Sequence, residues 1–528
     1  MRSHVLKIAV PVVIVLFVAL PASAYYVTMS KIGEGTVSPN IGANSYGLFK
    51  KCTIRATPAS GWVFDRWEGD MAGKPNPYTW YVTSDKRAYA IFRPQTPTPA
   101  NALVRYVGKY DSSTTNWTIN HHSHAGYDHY TKQLNSQSWR SSSEVDRPLW
   151  EHDTLWTIPW FTTDDVLLLI NGGSYPLSHP GPDGTLSLVC LALGVNYIDL
   201  QQIPSQPLNF PDDPGNPRTE DEIIAYSLDK YLVTGNDEWP VLNPMVKAVV
   251  KAMDMVQQEF KFMDDFLVFG GSKRGWTTWL TAGVDPRVKV IMPLVADLAN
   301  FPMQTRHHWE AYGTYSSAIQ DYVDFDLFCR AWNDPLGPSL IQIVDPYSYN
   351  AKFTMPKLIV NASGDQFFVS DSSRYYYLDL PNQAQTFLRY FPNQDHYMSG
   401  VLDDYNTALA LLDWGLDLLR GTGHPHITWS LDGNLGITVT YTSTPQAVTL
   451  WQATNTSARD FRLETIGAAW TSSPLSNQGG YYYGYCPPPP QGWTAYFVEC
   501  DFGSGEKYTS RIVVNPDGDP YYQQGCFP

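Results

Sequence analysis

The sequence predicts an α/β fold with a mostly parallel sheet. A small all-β module precedes it and a β-sandwich-like unit follows it. Three observations carry this. Short apolar runs recur through the middle of the chain: Val166–Ile170, Phe266–Phe269, Val288–Val295, Met355–Asn361 and Thr386–Tyr390. Their length, and the glycine, asparagine or aspartate after them, suit strands buried on both faces. Helical patterns lie between them, and alternating strand and helix signals favour a parallel sheet. Finally, the texture changes before residue 94 and after residue 421, where short strands are split by turn residues.

In chain order, Arg2, His4 and Lys7 precede an apolar run from Ile8 to Leu20, and Ala22-Ser23-Ala24 follows. This reads as a signal peptide cut after Ala24, hence a secreted protein, extracellular or periplasmic. A run of about thirteen residues is too short to span a bilayer. Residues 25–93 read as an all-β module resembling the repeat modules of secreted bacterial surface proteins. Spacing or contact with a cell surface or matrix is its expected role. Residues 94–103 read as a stiff, proline-rich linker. The α/β unit is expected over 104–421 and the C-terminal β domain with its tail over 422–528. Thr219 with Glu222 forms a capping-box pattern. Asn243-Pro244 reads as a cap and first-turn proline, and Met245, Val249, Met253 and Val256 then share one helical face.

The chemistry is expected at Gly270-Gly271-Ser272-Lys273-Arg274-Gly275. An apolar strand ends in glycines and a serine, and a helical stretch follows. That is the nucleophile elbow of α/β-hydrolases, which lifts the serine hydroxyl out of the sheet. The usual spacing is G-x-S-x-G, and here the last glycine arrives one residue later. Gly270 and Gly271 are expected to relieve crowding. Asp365 follows the strand around Leu358 and His396 follows the strand around Leu388, 31 residues later. The order Ser272, Asp365, His396 is that of this fold. A serine hydroxyl needs a histidine to take its proton, and the carboxylate fixes the imidazole tautomer. Asp297, after the strand Val288–Val295, is the rival acid.

An oxyanion hole is expected from the turn Asn171-Gly172-Gly173 and from the N–H of Lys273. Lys273 and Arg274 flank the nucleophile on an acidic chain. Two readings stand: the charges favour an anionic ester such as a uronate ester, or they pair with acidic neighbours. Arg274 and His307 are candidate substrate contacts, and His308 is a second candidate cleft residue.

Many pieces then match one family in order. They include Arg147-Pro-Leu-Trp-Glu-His152, Asn171-Gly-Gly173, Ile203-Pro-Ser-Gln-Pro-Leu208, Arg218-Thr-Glu-Asp-Glu222 and Gly271-Ser-Lys-Arg-Gly-Trp276. Asp345-Pro-Tyr-Ser-Tyr349, Gly364-Asp-Gln-Phe-Phe368 and Arg459-Asp-Phe-Arg462 also match. The stretch from about Trp139 to Arg462 resembles the PhoPQ-activated pathogenicity-related family, which takes in the autocrine proliferation repressor proteins. The resemblance implies an α/β-hydrolase-like fold with a C-terminal β extension and leaves the substrate open. A weaker likeness is to glucuronoyl esterases, whose elbow also carries a basic residue after the serine.

Composition narrows the classes. The chain has 528 residues and a net charge of −15, a surface that repels phosphate backbones, so no nucleic-acid partner is expected. No later apolar stretch is long enough for membrane insertion. The six cysteines suggest one bridge among Cys486, Cys500 and Cys526, with Cys190 and Cys329 as buried thiols. His121-His122-Ser123-His124 lacks accompanying metal-ligand spacing, so neither metal nor cofactor is expected. Asn116, Asn361 and Asn455 sit in glycosylation-acceptor patterns, Asn361 at a buried strand end. The expected activity is that of a secreted serine hydrolase acting on a small-molecule, saccharide or peptide ester. A peptidase of the same fold, and a non-enzymatic signalling or adhesion protein, are the alternatives.

Overall fold

The computed structural model describes residues 24–181, 184–401, 404–522 and 526–527; nearly all of the expected signal peptide lies outside the described residues. Nine strands form the central sheet: β1 (Thr115–His124), β2 (Tyr127–Ser138), β3 (Leu149–Pro159), β4 (Asp165–Ile170), β5 (Asn196–Leu200), β6 (Asp265–Gly271), β7 (Val288–Leu294), β8 (Lys357–Ala362) and β9 (Thr386–Phe391). Their order is β9-β8-β7-β6-β4-β5-β3-β2-β1. Strands β4 to β9 run parallel. The first three are antiparallel to one another, and β3 runs antiparallel to β5. The exchange of β4 and β5 in an otherwise sequential parallel run makes this an α/β-hydrolase sheet.

The parallel strands are buried on both faces, which is why they read as continuous apolar runs. Alternate side chains serve two cores. Val166, Leu168, Phe266, Val268 and Ile359 face the helices α3 (Leu242–Glu259) and α4 (Lys273–Val284), packing with Val249, Met253, Val256 and Trp279. Leu167, Leu267, Phe269 and Val360 face α1 (Gly184–Leu193) and α6 (Tyr405–Leu419), with Val189, Leu411 and Trp414. The sheet is thus the middle of three layers. Two further helices, α2 (Glu220–Thr234) and α5 (Phe301–Tyr312), flank the C-terminal ends of the parallel strands.

In α2 the Thr219 N–H donates to Glu222 Oε2 at 3.1 Å, as the capping-box pattern expects. The start of α3 differs from expectation. The helix begins at Leu242 with Val241 as its cap, and Asn243 Nδ2 donates to the Asp237 carbonyl instead. Fully buried Leu242 anchors that start, two residues early.

Residues 25–94 form two small sheets, Gly42–Tyr46/Tyr25–Ile32/Lys86–Pro94/Trp62–Gly69 and Gly35–Ser38/Lys51–Pro58/Tyr78–Tyr81. The proline-rich stretch after them is not extended throughout, because Pro99–Asn101 makes a 3-10 turn leading into the helix Ala102–Gly108. That helix lays Leu103, Tyr106 and Val107 against Ile32 and Ile91, so the module shares the main core. After α6 come two antiparallel sheets, one of three strands (Ile427–Leu431, Ile437–Tyr441, Tyr482–Gly484) and one of five centred on Ala447–Asn455 and Trp493–Gly503. The tail then returns to the α/β unit, and Cys526 is bridged to Cys329, with Cα atoms 5.5 Å apart. This corrects the expected pairing: Cys486 and Cys500 are free and buried, as is Cys190. The tail's return path decides the pairing, not closeness in sequence. Among the described residues no helix is long and apolar enough to cross a membrane.

Candidate active site

Ser272 stands between β6 and α4 with φ 57° and ψ −125°. Its N–H donates to the Leu294 carbonyl at 2.9 Å, which pins the strained turn to β7. The glycines that make room are Gly270 and Gly275. A Cβ on Gly270 would lie 2.9 Å from the Ile170 carbonyl oxygen, and one on Gly275 would lie 2.7 Å from the Ala296 Cβ. Gly271 faces open space, so it is not one of the crowded positions. The close approach of α4 to β7 falls at Gly275, which accounts for the late glycine in the motif.

His396 and Asp365 lie beyond the ends of β9 and β8. Asp365 Oδ1 accepts the N–H groups of Phe367 at 2.7 Å and Phe368 at 3.2 Å. Its Oδ2 lies 2.8 Å from His396 Nδ1. An ionised carboxylate only accepts, so Nδ1 carries the proton and Nε2 is bare. Nε2 lies 2.8 Å from Ser272 Oγ and accepts its proton. The Phe367 ring packs 4.1 Å from the imidazole, and the His396 N–H donates to Gln366 Oε1. Asp365 and His396 are each only 4% exposed. The result is a continuous, largely buried hydrogen-bond chain ending in a partly exposed hydroxyl, an arrangement able to generate a nucleophile.

Asp297 is not part of that chain. It takes the Tyr390 hydroxyl at 2.9 Å, and burial, with the nearby charge of Asp365, pushes its carboxyl up to about 7.

The basic pair after the serine is neutralised. Lys273 Nζ lies 2.9 Å from both Glu220 Oε2 and Asp221 Oδ2. Arg274 reaches Glu220 Oε1 at 2.7 Å and the Ile203 carbonyl at 2.6 Å. Burial favours the neutral form of Glu220, but Arg274 and Lys273 outweigh it and hold the carboxyl at about 2. Glu220 itself has φ 49°, a strained first residue of α2 held by Gln206 through 2.7 Å and 2.6 Å bonds. Of the two readings of the basic pair, the geometry is therefore that of pairing with acidic neighbours. Arg274 is not a free substrate contact.

Gly172 does not offer its N–H to the site, because Asn171 Oδ1 accepts it at 2.8 Å. Gly173, at φ 124°, packs on Gln202. His307 is fully buried, with Nε2 2.8 Å from Asp371 and Nδ1 3.1 Å from Asp519. Arg459 joins the same cluster through Asp371. A structural ion network occupies His307, and the next residue, His308, lines the cleft instead. One residue is about 100° of helix, and no signal in the sequence set the phase of α5.

The cleft beside Ser272 has a cavity of about 70 Å³, with walls that include Trp276, Phe301, Tyr322, Phe328, Phe367 and Phe368. Asp221, Lys273, Gln304 and His308 add polar groups. Sequence reasoning missed Glu220, Asp221 and Gln304. The one available signal was the acidic first turn of α2. The His121–His124 stretch lies on edge strand β1, where His121 pairs with Asp128 and stacks on Tyr130. Asn361 is buried, as its strand position implied.

Comparisons with known proteins follow the same division of the chain. The family model of the PhoPQ-activated pathogenicity-related protein matches residues 103–462, and that of the divergent InlB B-repeat domain matches residues 25–96. Autocrine proliferation repressor protein A of Dictyostelium discoideum is 32% identical over 456 residues, covering 79% of this chain and 91% of its own length. Solved structures with some likeness include acetyl xylan esterase 1 from Thermoanaerobacterium sp. JW/SL YS485, with TM-score 0.44 and 13% identity over 61% of this chain and 94% of its own. An acetyl xylan esterase from Paenibacillus sp. R4 gives TM-score 0.41 and 12% identity over 62% and 93%. Scores this low carry no functional argument; the fold rests on the strand order.

Proposed function

The chain belongs to the PhoPQ-activated pathogenicity-related protein family, and we propose that it is a serine hydrolase that cleaves carboxylic esters. The observation that carries this is the unbroken chain from Ser272 Oγ through His396 to Asp365, each link at 2.8 Å. In this reading Ser272 attacks the ester carbonyl while His396 Nε2 takes its proton. The same nitrogen then protonates the leaving alcohol. Asp365 holds the tautomer and stabilises the imidazolium without taking the proton itself. The N–H of Lys273, first in α4, has no helical acceptor of its own and is assigned to the oxyanion, with the Gly173 N–H as the second donor. Water then resolves the acyl-enzyme and regenerates Ser272. We assign the protein to an oxidising, extracytoplasmic compartment, because the Cys329–Cys526 bridge needs one to persist.

A fluorophosphonate probe tests the assignment. The folded protein should take up one equivalent, and Ser272→Ala should abolish labelling while leaving the circular dichroism spectrum unchanged. Labelling that survives the substitution would move the nucleophile elsewhere. Absence of labelling in the native protein would instead favour a signalling protein on a hydrolase scaffold, the reading suggested by the name of the Dictyostelium relative.

A further inference from the structure

Helix α5 forms one wall of the cleft, and two of its side chains there hold polar atoms with no partner among the described residues. Gln304 is 7% exposed. Its Nε2 donates to the carbonyls of Ala299 at 3.0 Å and Ser372 at 3.1 Å. Those two acceptors fix which way the amide points, since the reverse would set oxygen against oxygen. The remaining atom, Oε1, is buried and has no partner among the described residues. Buried acceptors are as a rule bonded, and this one borders the cleft through its own side chain.

His308 supplies the complement. It is 3% exposed, and its Nε2 accepts the Ser316 N–H at 3.0 Å. Burial, with Arg462 nearby, lowers its pKa to about 3, so the ring is neutral. A neutral imidazole that accepts at Nε2 must carry its proton at Nδ1, and no bond from Nδ1 is made among the described residues. Residues four apart lie on one helix face. Both residues line the cleft, so its α5 wall holds one fixed acceptor and one fixed donor beside the aromatic rings.

A hydroxyl offers what each of them lacks, because its oxygen accepts and its proton donates. The space around them is about 70 Å³, against roughly 10–15 Å³ for one water measured the same way, enough for a single ring. We propose that Gln304 and His308 are specificity residues that read a hydroxyl on an aryl group of the substrate ester. This rests on the hydrolase reading for its use in catalysis, but the recognition itself can be measured without turnover.

The test uses the full chain carrying Ser272→Ala, titrated by calorimetry with methyl 3-(4-hydroxyphenyl)propanoate and methyl 3-phenylpropanoate. The saturated linker isolates the carbonyl from the ring hydroxyl, so only recognition differs. The hydroxylated ester should bind at least about tenfold more tightly, the loss expected for one unmade hydrogen bond to a buried group. Gln304→Met, which keeps the length and removes the acceptor, should bring the two Kd values together, as should His308→Phe. Equal binding of the two esters by the Ser272→Ala protein would overturn the inference, whether or not the α5 variants fold. A preference that survives both substitutions would overturn it too. A binding preference in a protein that takes up no fluorophosphonate would support the recognition site while sinking the hydrolase assignment, so the two readings fail separately.

Discussion

The ends of β7 and β8 offer two aspartates to one neighbourhood, and they are put to different ends. Asp297 and Asp365 are 3% and 4% exposed and stand beyond adjacent parallel strands. Asp365 receives two backbone N–H groups and an imidazole N–H. Asp297 receives the Tyr390 hydroxyl, while its Oδ1 lacks a partner among the described residues. Charge-stabilising donors, not burial or position at a strand end, distinguish them. Three N–H groups are directed at one carboxylate, the last of them from the histidine. Burial, which the hydroxyl donor only partly offsets, raises the other to about 7. A fold can thus keep two acids at the same edge and commit only one to the histidine.

The sharpest way to break the comparison is to neutralise each acid in turn. Asp365→Asn should lower kcat by about 10⁴, because the amide holds the wrong tautomer of His396. Asp297→Asn should change it by less than about tenfold. The reverse ranking in ester turnover would transfer the acid to β7.

Stability should divide the pair differently. The raised carboxyl of Asp297 favours the folded state only while it stays protonated. Its contribution is intact below about pH 4 and is lost as pH climbs toward 7, since the unfolded chain ionises first. Asp297→Asn removes that loss, so its melting temperature relative to the native protein should improve between pH 4 and 7 and level off above. The ceiling is about 4 kcal/mol. A difference that stays flat across that range would mean Asp297 is not a buried, protonated acid.

The smallest effect expected concerns charge. Lys273 is already matched by Glu220 and Asp221. A carboxylate-bearing ester and its neutral analogue should therefore keep the same kcat/KM ratio, within about threefold, in Lys273→Met as in the native protein. A preference for the anion that vanishes with the lysine would show that the substrate displaces an acidic partner.

Legibility in the sequence followed distance. Strand ends, the elbow and the order Ser272, Asp365, His396 were readable because each is written in a few consecutive residues. The late glycine of the elbow was visible but not explicable until α4 met β7 at Ala296. What could not be read lay across long separations. Lys273 and Arg274 find partners more than fifty residues upstream at the start of α2, and Cys329 pairs 197 residues downstream. Local spacing also misplaced the start of α3 by two residues and could not rank His307 against His308 as a cleft residue, because helix phase is set by packing rather than by the residues concerned.

The Cys329–Cys526 bridge closes a covalent ring around the C-terminal part of the chain. Asp365 and His396 lie inside that ring, together with both C-terminal sheets, whereas Ser272 lies outside it. A single proteolytic cut at any exposed loop between residues 329 and 526 therefore opens the ring without releasing a fragment. The nicked protein would still migrate as one species until a thiol was added, with Ser272 and His396 on one molecule. The tail serves less as an ending than as a clasp that holds the two pieces of a nicked chain together.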